Sequence, residues 1–177
     1  MTEYHDTVWG VPQRDSRTLF EFLTLEGAQA GLSWRTVLLR QQGYRDVFDD
    51  FDVERIAAYT DADVSRCLAD PRIIRNRSKV ESTIGNAQAW LELADPVEFV
   101  WGFVDGTSIQ NRWGEMGTVP ASTPVSDGMS KQMKRLGFRF VGTTICYAYM
   151  QACGLVNDHI TECFRYSECA QLSLDDG

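Results

Sequence analysis

Glu26 lies in the stretch Leu25 to Trp34, LEGAQAGLSW, where one carboxylate sits among small residues and close to an aromatic ring. Gly27, Ala28, Ala30 and Gly31 leave space around it, and Leu32 and Trp34 follow. A carboxylate near the end of an apolar helix must be satisfied by donors or kept for a ligand, because an unpaired buried charge is costly. A rim glutamate on an ordinary capped helix has the same pattern. A second chemistry-bearing pair is His159 and Cys163. Four residues apart, they share one face if the segment is helical, and a soft Cys/His pair suits Zn²⁺.

Helical spacing places Glu26. Asp15 or Ser16 can cap a helix over 16–30, and Leu19, Phe20, Leu23 and Gly27 then form one apolar stripe. Gly31 stops it and Ser33 caps the next. Further helices are expected at 33–42, 44–49, 52–59, 61–69 and 76–94, then from Pro96 to near Gly106, and at 126–136, 143–153 and 158–163. Residues 1–14 and 106–123 look irregular, and 164–177 is expected to fray. No alternating strand pattern stands out. These signals predict an all-α fold, a single compact domain over 1–163 with a polar C-terminal tail, and no internal repeat.

Composition bounds the function. A chain of 177 residues with 44% hydrophobic and 24% charged residues can fold around one sizeable core. No apolar run is long enough for a membrane span, and the polar start does not resemble a signal peptide. Five cysteines, several inside apolar patterns, fit a reducing cytoplasm with free or metal-bound thiols. A monomer is expected. The net charge of -8 argues against a general nucleic-acid binder. Its distribution qualifies that reading. Arg72, Arg75, Arg77 and Lys79 form one basic cluster, and Lys131, Lys134, Arg135 and Arg139 form another. Two such patches on an acidic body can grip a phosphate backbone locally, with strong salt dependence. Solvated helix faces would look the same.

Longer motifs narrow the choice. Tyr4-His5-Asp6 followed by Trp9-Gly10-Val11-Pro12, the LEGAQAGLSW stretch, IIRNRSKVESTIGNA (73–87), STPVSDGMSKQMK (122–134) and FRFVGTTICYAYMQACGLVNDH (138–159) together resemble the bacterial 3-methyladenine DNA glycosylase I family. The resemblance spans about residues 4–163. It implies the helix-hairpin-helix DNA glycosylase fold, with the hairpin over 61–91. Hairpin amides and a helix N-terminus bind a phosphate in that motif. This chain carries Arg72 where the hairpin glycine is expected, so a direct charge contact would replace a close backbone approach.

The resemblance implies excision of 3-methyladenine from alkylated double-stranded DNA, leaving an abasic site and releasing the free base. The methylated base is cationic and already a good leaving group. The protein must extrude the nucleotide, hold the base and admit water. Aromatic faces and a carboxylate suit a cationic base, which gives Tyr4, Trp9 and Trp34 as walls and Glu26 as both recognition and catalytic residue. Gly31 and Leu32 are expected at the DNA, with Leu32 plugging the gap, and Arg72, Arg75 and Lys131 on its backbone. No lysine in the motifs stands out as a Schiff-base nucleophile, so strand cleavage is not expected. The resemblance also implies a structural zinc held by His5, His159 and Cys163. The family's fourth ligand, a cysteine before the Tyr-His-Asp motif, is missing here, because only Met1, Thr2 and Glu3 precede Tyr4. A start further upstream, water, Cys169 or an empty site are the alternatives. Two other readings stand beside this one. A non-catalytic DNA- or damage-binding module would keep the patches without releasing base. A zinc-dependent hydrolase would use the His/Cys set with a general base such as Asp158.

Overall fold

The computed structural model describes residues 1–175, and the helical pattern organises nearly all of it. Eleven α-helices appear among the described residues: α1 (Thr2–Thr7), α2 (Ser16–Gln29), α3 (Trp34–Leu38), α4 (Gln41–Val47), α5 (Val53–Ala57), α6 (Asp61–Ala69), α7 (Arg77–Leu91), α8 (Pro96–Trp101), α9 (Pro124–Arg135), α10 (Thr143–Ala152) and α11 (Phe164–Asp175). None of the helices described is long and apolar enough to cross a membrane.

Helix α2 is the axis of the molecule. The side chain of Asp15 accepts from the Thr18 amide and fixes its start. Every residue from Leu19 to Ala28 is buried, so the helix is enclosed on all sides and not along a single stripe. It packs against α3, α7, α8 and α10. Two sets of polar contacts show how the enclosure is tolerated. Glu21 accepts from Gln41 Nε2 at 2.7 Å and from Arg45 Nε at 2.9 Å, so its charge is paired. Lys79 of α7 donates through Nζ to the carbonyls of Ala28 and Ala30, both at 2.7 Å, and satisfies acceptors that the end of the helix leaves open. Gly31 then takes φ +78°, the left-handed turn that lets the chain leave α2. Ser33 caps α3 by accepting from the Thr36 amide.

Helices α6 and α7 form the expected hairpin. The Thr60 amide and hydroxyl both donate to Asp63, which starts α6, and Asn76 caps α7. The turn between them buries Ile73.

Three local expectations fail. The N-terminal arm is irregular only after Thr7, since α1 precedes it. The segment 158–163 is not a helix. It follows a two-residue strand, β2 (Val156–Asn157), which pairs in parallel with β1 (Ile109–Gln110). Strands of two residues are too short to leave an alternating pattern. Residues 164–175 do not fray; they form α11, because Arg165 and Cys169 provide buried anchors in an otherwise polar stretch. The remainder of that expected tail, 176–177, lies outside the described residues.

The N-terminal arm is tied to the end of α10. The Gly10 amide donates to the Gln151 carbonyl and the Gln13 amide to the Cys153 carbonyl, both at 3.0 Å. Gly154, at φ +71°, lies against this arm, and a Cβ there would overlap the backbone of Val11 and Pro12. Gly154→Ala therefore faces both a disfavoured dihedral and a backbone clash. We expect a loss of about 2–4 kcal/mol, measured by urea unfolding. An alanine variant within about 0.5 kcal/mol of the parent would show that the arm is not locked here.

Candidate base-binding site and metal-ligand cluster

Where the arm crosses α2 and α10, an open cavity of about 150 Å³ is lined by Tyr4, Trp9, Glu26, Gln29, Trp34, Ala148 and Gln151. That volume lies below the about 300–1,000 Å³ usual for drug-sized ligands, so it suits one base and not a run of nucleotides. Four elements build it. Helix α1 and the residues after it bring Tyr4 and Trp9, α2 brings Glu26 and Gln29, α3 begins with Trp34, and α10 presents Ala148 and Gln151 one turn apart. The Tyr4 and Trp34 rings are 5.4 Å apart and tilted by 53°. All four residues read from the sequence as base-binding thus line one cavity.

Glu26 is only 3% exposed, and its Oε2 atom has no hydrogen-bond partner. Unlike Glu21 five residues before it, Glu26 has no basic partner. Burial alone pushes its carboxyl up to about 8, since desolvation penalises the charged form. Trp34 Nε1 is likewise buried without an acceptor. Native structures rarely leave such groups unpaired, so an orphan acceptor and an orphan donor on one cavity wall indicate a polar ligand. Burial, with Glu26 nearby, also raises the Tyr4 hydroxyl well above its usual range and keeps it neutral.

Gln151, Gln29 and Ala148 were not legible as pocket residues in the sequence. The one available signal was that Ala148 and Gln151 share a face of α10; nothing indicated what that face would meet.

On the other side of the arm, His5, His159 and Cys163 converge, with their ligand atoms all within 4.8 Å of one another. Cys163 Sγ is 3.7 Å from His5 Nε2 and 3.6 Å from His159 Nδ1. The second nitrogen of each imidazole faces an acceptor. His5 Nδ1 donates to Asp6 at 2.7 Å, and His159 Nε2 donates to the Trp9 carbonyl at 3.0 Å. Both lone-pair nitrogens therefore point toward the thiol. A turn, and not the expected helical face, brings His159 and Cys163 together. Cys169 is not in the cluster. Asp158 beside it has no free oxygen, as it accepts from Asn111, Trp113, Tyr147 and Gln151.

The residues read as DNA-facing lie apart from one another in the chain. Gly31 and Leu32 occupy the turn after α2, and Leu32 is 39% exposed. Arg75 is exposed in the α6–α7 turn, and Lys131 is exposed on α9 beside a recess shared with Lys134 and Thr143. Arg72 is engaged by Asp46 at 2.6 Å and Asp70 at 2.8 Å, so it organises the hairpin turn before it can meet anything else. Lys79, counted in the basic cluster from sequence, is withdrawn from it by its bonds to α2.

The family model described as methyladenine glycosylase matches residues 1–166. The chain is 50% identical to DNA-3-methyladenine glycosylase 1 of Escherichia coli, covering 92% of this chain and 89% of that protein. It is 44% identical to the DNA-3-methyladenine glycosylase of Haemophilus influenzae, covering 91% and 89%. It also superimposes on the 3-methyladenine DNA glycosylase I of Staphylococcus aureus, solved to explain 3-methyladenine recognition, with a TM-score of 0.90 at 32% identity over 92% and 89% of the two chains. A family model over residues 1–166 and relatives 44–50% identical over most of both chains lead to one conclusion: this chain belongs to the methyladenine glycosylase family.

Proposed function

We propose that the protein is a base-excision DNA glycosylase that takes 3-methyladenine out of alkylated duplex DNA and releases it by hydrolysis. The observation that carries this reading is the unpartnered carboxylate of Glu26 inside an aromatic cavity of base size. Burial favours the neutral acid in the empty site, whereas a cationic base supplies a counter-charge and favours the ionised carboxylate. Tyr4, Trp9 and Trp34 offer π-faces to the same cation. Glu26 then acts by recognition and electrostatics, while water attacks the sugar carbon. Lys79, which reaches the end of α2, has its Nζ committed to two carbonyls and is not free to attack the sugar. The product is an abasic site in an uncut strand. Leu32 at its exposed turn fills the space of the extruded nucleotide, with Gly31 beside it and Arg75 and Lys131 on the phosphates. The five unpaired cysteines fit a reducing cytoplasm.

Incubation of the protein with methylated duplex DNA, followed by identification of the released base, tests the activity. Free 3-methyladenine without strand scission is expected. No released base from the folded protein would leave only the DNA-binding module.

Glu26→Gln keeps the shape and removes the charge. It should weaken binding of a cationic methylated base by about 1.5–3 kcal/mol, the worth of a charge-assisted hydrogen bond. The same variant tests the burial argument in the ligand-free protein. A carboxyl raised from 4.5 to about 8 on folding contributes stability that is complete below pH 4.5 and lost as pH rises toward 8. The parent should therefore lose stability relative to Glu26→Gln across that window, by roughly a few kcal/mol at pH 8–9. Parallel stability curves would mean that Glu26 ionises freely.

We further propose that His5, His159 and Cys163 hold a structural zinc ion clipping the arm to the C-terminal region. Usual zinc bond lengths in a tetrahedron put sulfur and nitrogen about 3.6 Å apart, close to the separations found here. Hydrogen bonds from the outer ring nitrogens are the usual support of ligating histidines. Zinc there supplies cohesion, and Asp158, with both oxygens occupied, offers no general base for a zinc hydrolase. Metal analysis should find about one zinc per chain, lost in Cys163→Ser together with thermal stability. Metal-free protein whose stability Cys163→Ser leaves unchanged would show that the clip is not used.

A further inference from the structure

Asp158 is 1% exposed and accepts four hydrogen bonds, from Asn111 Nδ2, Trp113 Nε1 and the Tyr147 hydroxyl at 2.7 Å and from Gln151 Nε2 at 2.8 Å. It lies outside the cavity, yet one of its donors, Gln151, is a cavity wall. Four donors around one carboxylate are more than a capped turn requires. The consequence for Gln151 is directional. A carboxylate accepts and cannot donate, so the amide of Gln151 cannot rotate by half a turn without putting oxygen against oxygen. Its Nε2 is committed to Asp158, and its Oε1 is left as the atom without a protein partner. An amide that would otherwise present either polarity is thereby held as an acceptor.

We propose that Asp158 is a positioning residue that fixes Gln151 as a second acceptor in the cavity, and that this pair selects an amino-purine over an oxo-purine. The inference rests on the base-binding reading of the cavity. The exocyclic amine of adenine has two hydrogens, one for Glu26 Oε2 and one for Gln151 Oε1. The O6 carbonyl of guanine offers no hydrogen to either atom, and the fixed Gln151 Oε1 stays unpaired against it. A site built to receive N–H groups discriminates strongly against an analogue that lacks them, because its own polar atoms are then left unpaired.

The network also predicts the effect of a single substitution. Trp113 Nε1 is only a donor, so in Asp158→Asn the remaining carbonyl oxygen stays on the Trp113 and Asn111 side. The new NH₂ then replaces Oδ2, where the Tyr147 hydroxyl can turn to accept it. Gln151 must flip to accept as well, and its Nε2 would face the cavity.

The test is equilibrium binding of free 3-methyladenine and free 3-methylguanine to the full-length parent, Asp158→Asn and Gln151→Met. Gln151→Met keeps the volume, removes the acceptor and sits on a partly exposed position, so it remains informative if Asp158→Asn does not fold. The parent should prefer 3-methyladenine. Gln151→Met should cut that preference roughly tenfold, the scale of one lost hydrogen bond, and Asp158→Asn by more, through gained affinity for the oxo-purine. A general loosening of the structure would weaken both ligands together and leave their ratio in place. An unchanged ratio in folded Gln151→Met therefore overturns the assignment, even where both affinities fall. A parent that binds neither base overturns the base-binding reading itself, and this assignment with it.

Discussion

A carboxylate enclosed by protein and left without a counter-charge is the constraint on which the rest of the structure depends. Two glutamates of α2 make the contrast. Glu21 is buried but held by Arg45 and Gln41, so its charge is neutralised inside the fold. Glu26 lies five residues later, deeper, with one oxygen unpartnered and burial driving its carboxyl up to about 8. Such a group destabilises an empty site and is retained where a ligand compensates it. Around it the fold supplies aromatic walls and polar groups and adds no basic side chain, which keeps the charge complementary to a cationic base.

Enclosure on all sides has to come from distant parts of the chain. The base-binding wall is closed by the N-terminal arm, whose residues 10 and 13 bond to the end of α10 and whose Trp9 carbonyl accepts from His159. The cavity and the His/Cys cluster are therefore two faces of the same arm. Tyr4 and Trp9 line the cavity, while His5 turns to the metal-ligand cluster. The hydrogen bond from His159 to the Trp9 carbonyl joins the two. Asp158 ties the same region together by joining the segment before α9, helix α10 and the residues that lead to His159.

Charge is handled in the same economical way. On an acidic body of net charge -8, Arg75 and Lys131 remain exposed cations. Other cations of the basic clusters serve the fold instead. Lys79 closes α2 and Arg72 holds the hairpin turn between Asp46 and Asp70.

Most of the helices, several of their caps and the family were legible in the chain alone. Periodicity, Asp15, Ser33, Thr60 and Asn76 act within a few residues, so they can be read locally. The motifs around Glu26, Tyr4 and Trp34 marked the cavity residues for the same reason: their identities carry the chemistry wherever the fold puts them. Tertiary structure alone decided what those groups meet. It removed Lys79 and Arg72 from the free charge, turned 158–163 from a helix into a turn beside a two-residue strand, and ordered 164–175 around Arg165 and Cys169. It also brought Gln151 and Asp158 into one hydrogen-bonded unit next to Glu26. Pairings of this kind join residues as far as 158 positions apart, as His5 and Cys163 are, and no local pattern encodes a partner at that distance. The physical reason is that burial and partnership are properties of the packed molecule, whereas helix periodicity and capping are properties of the chain.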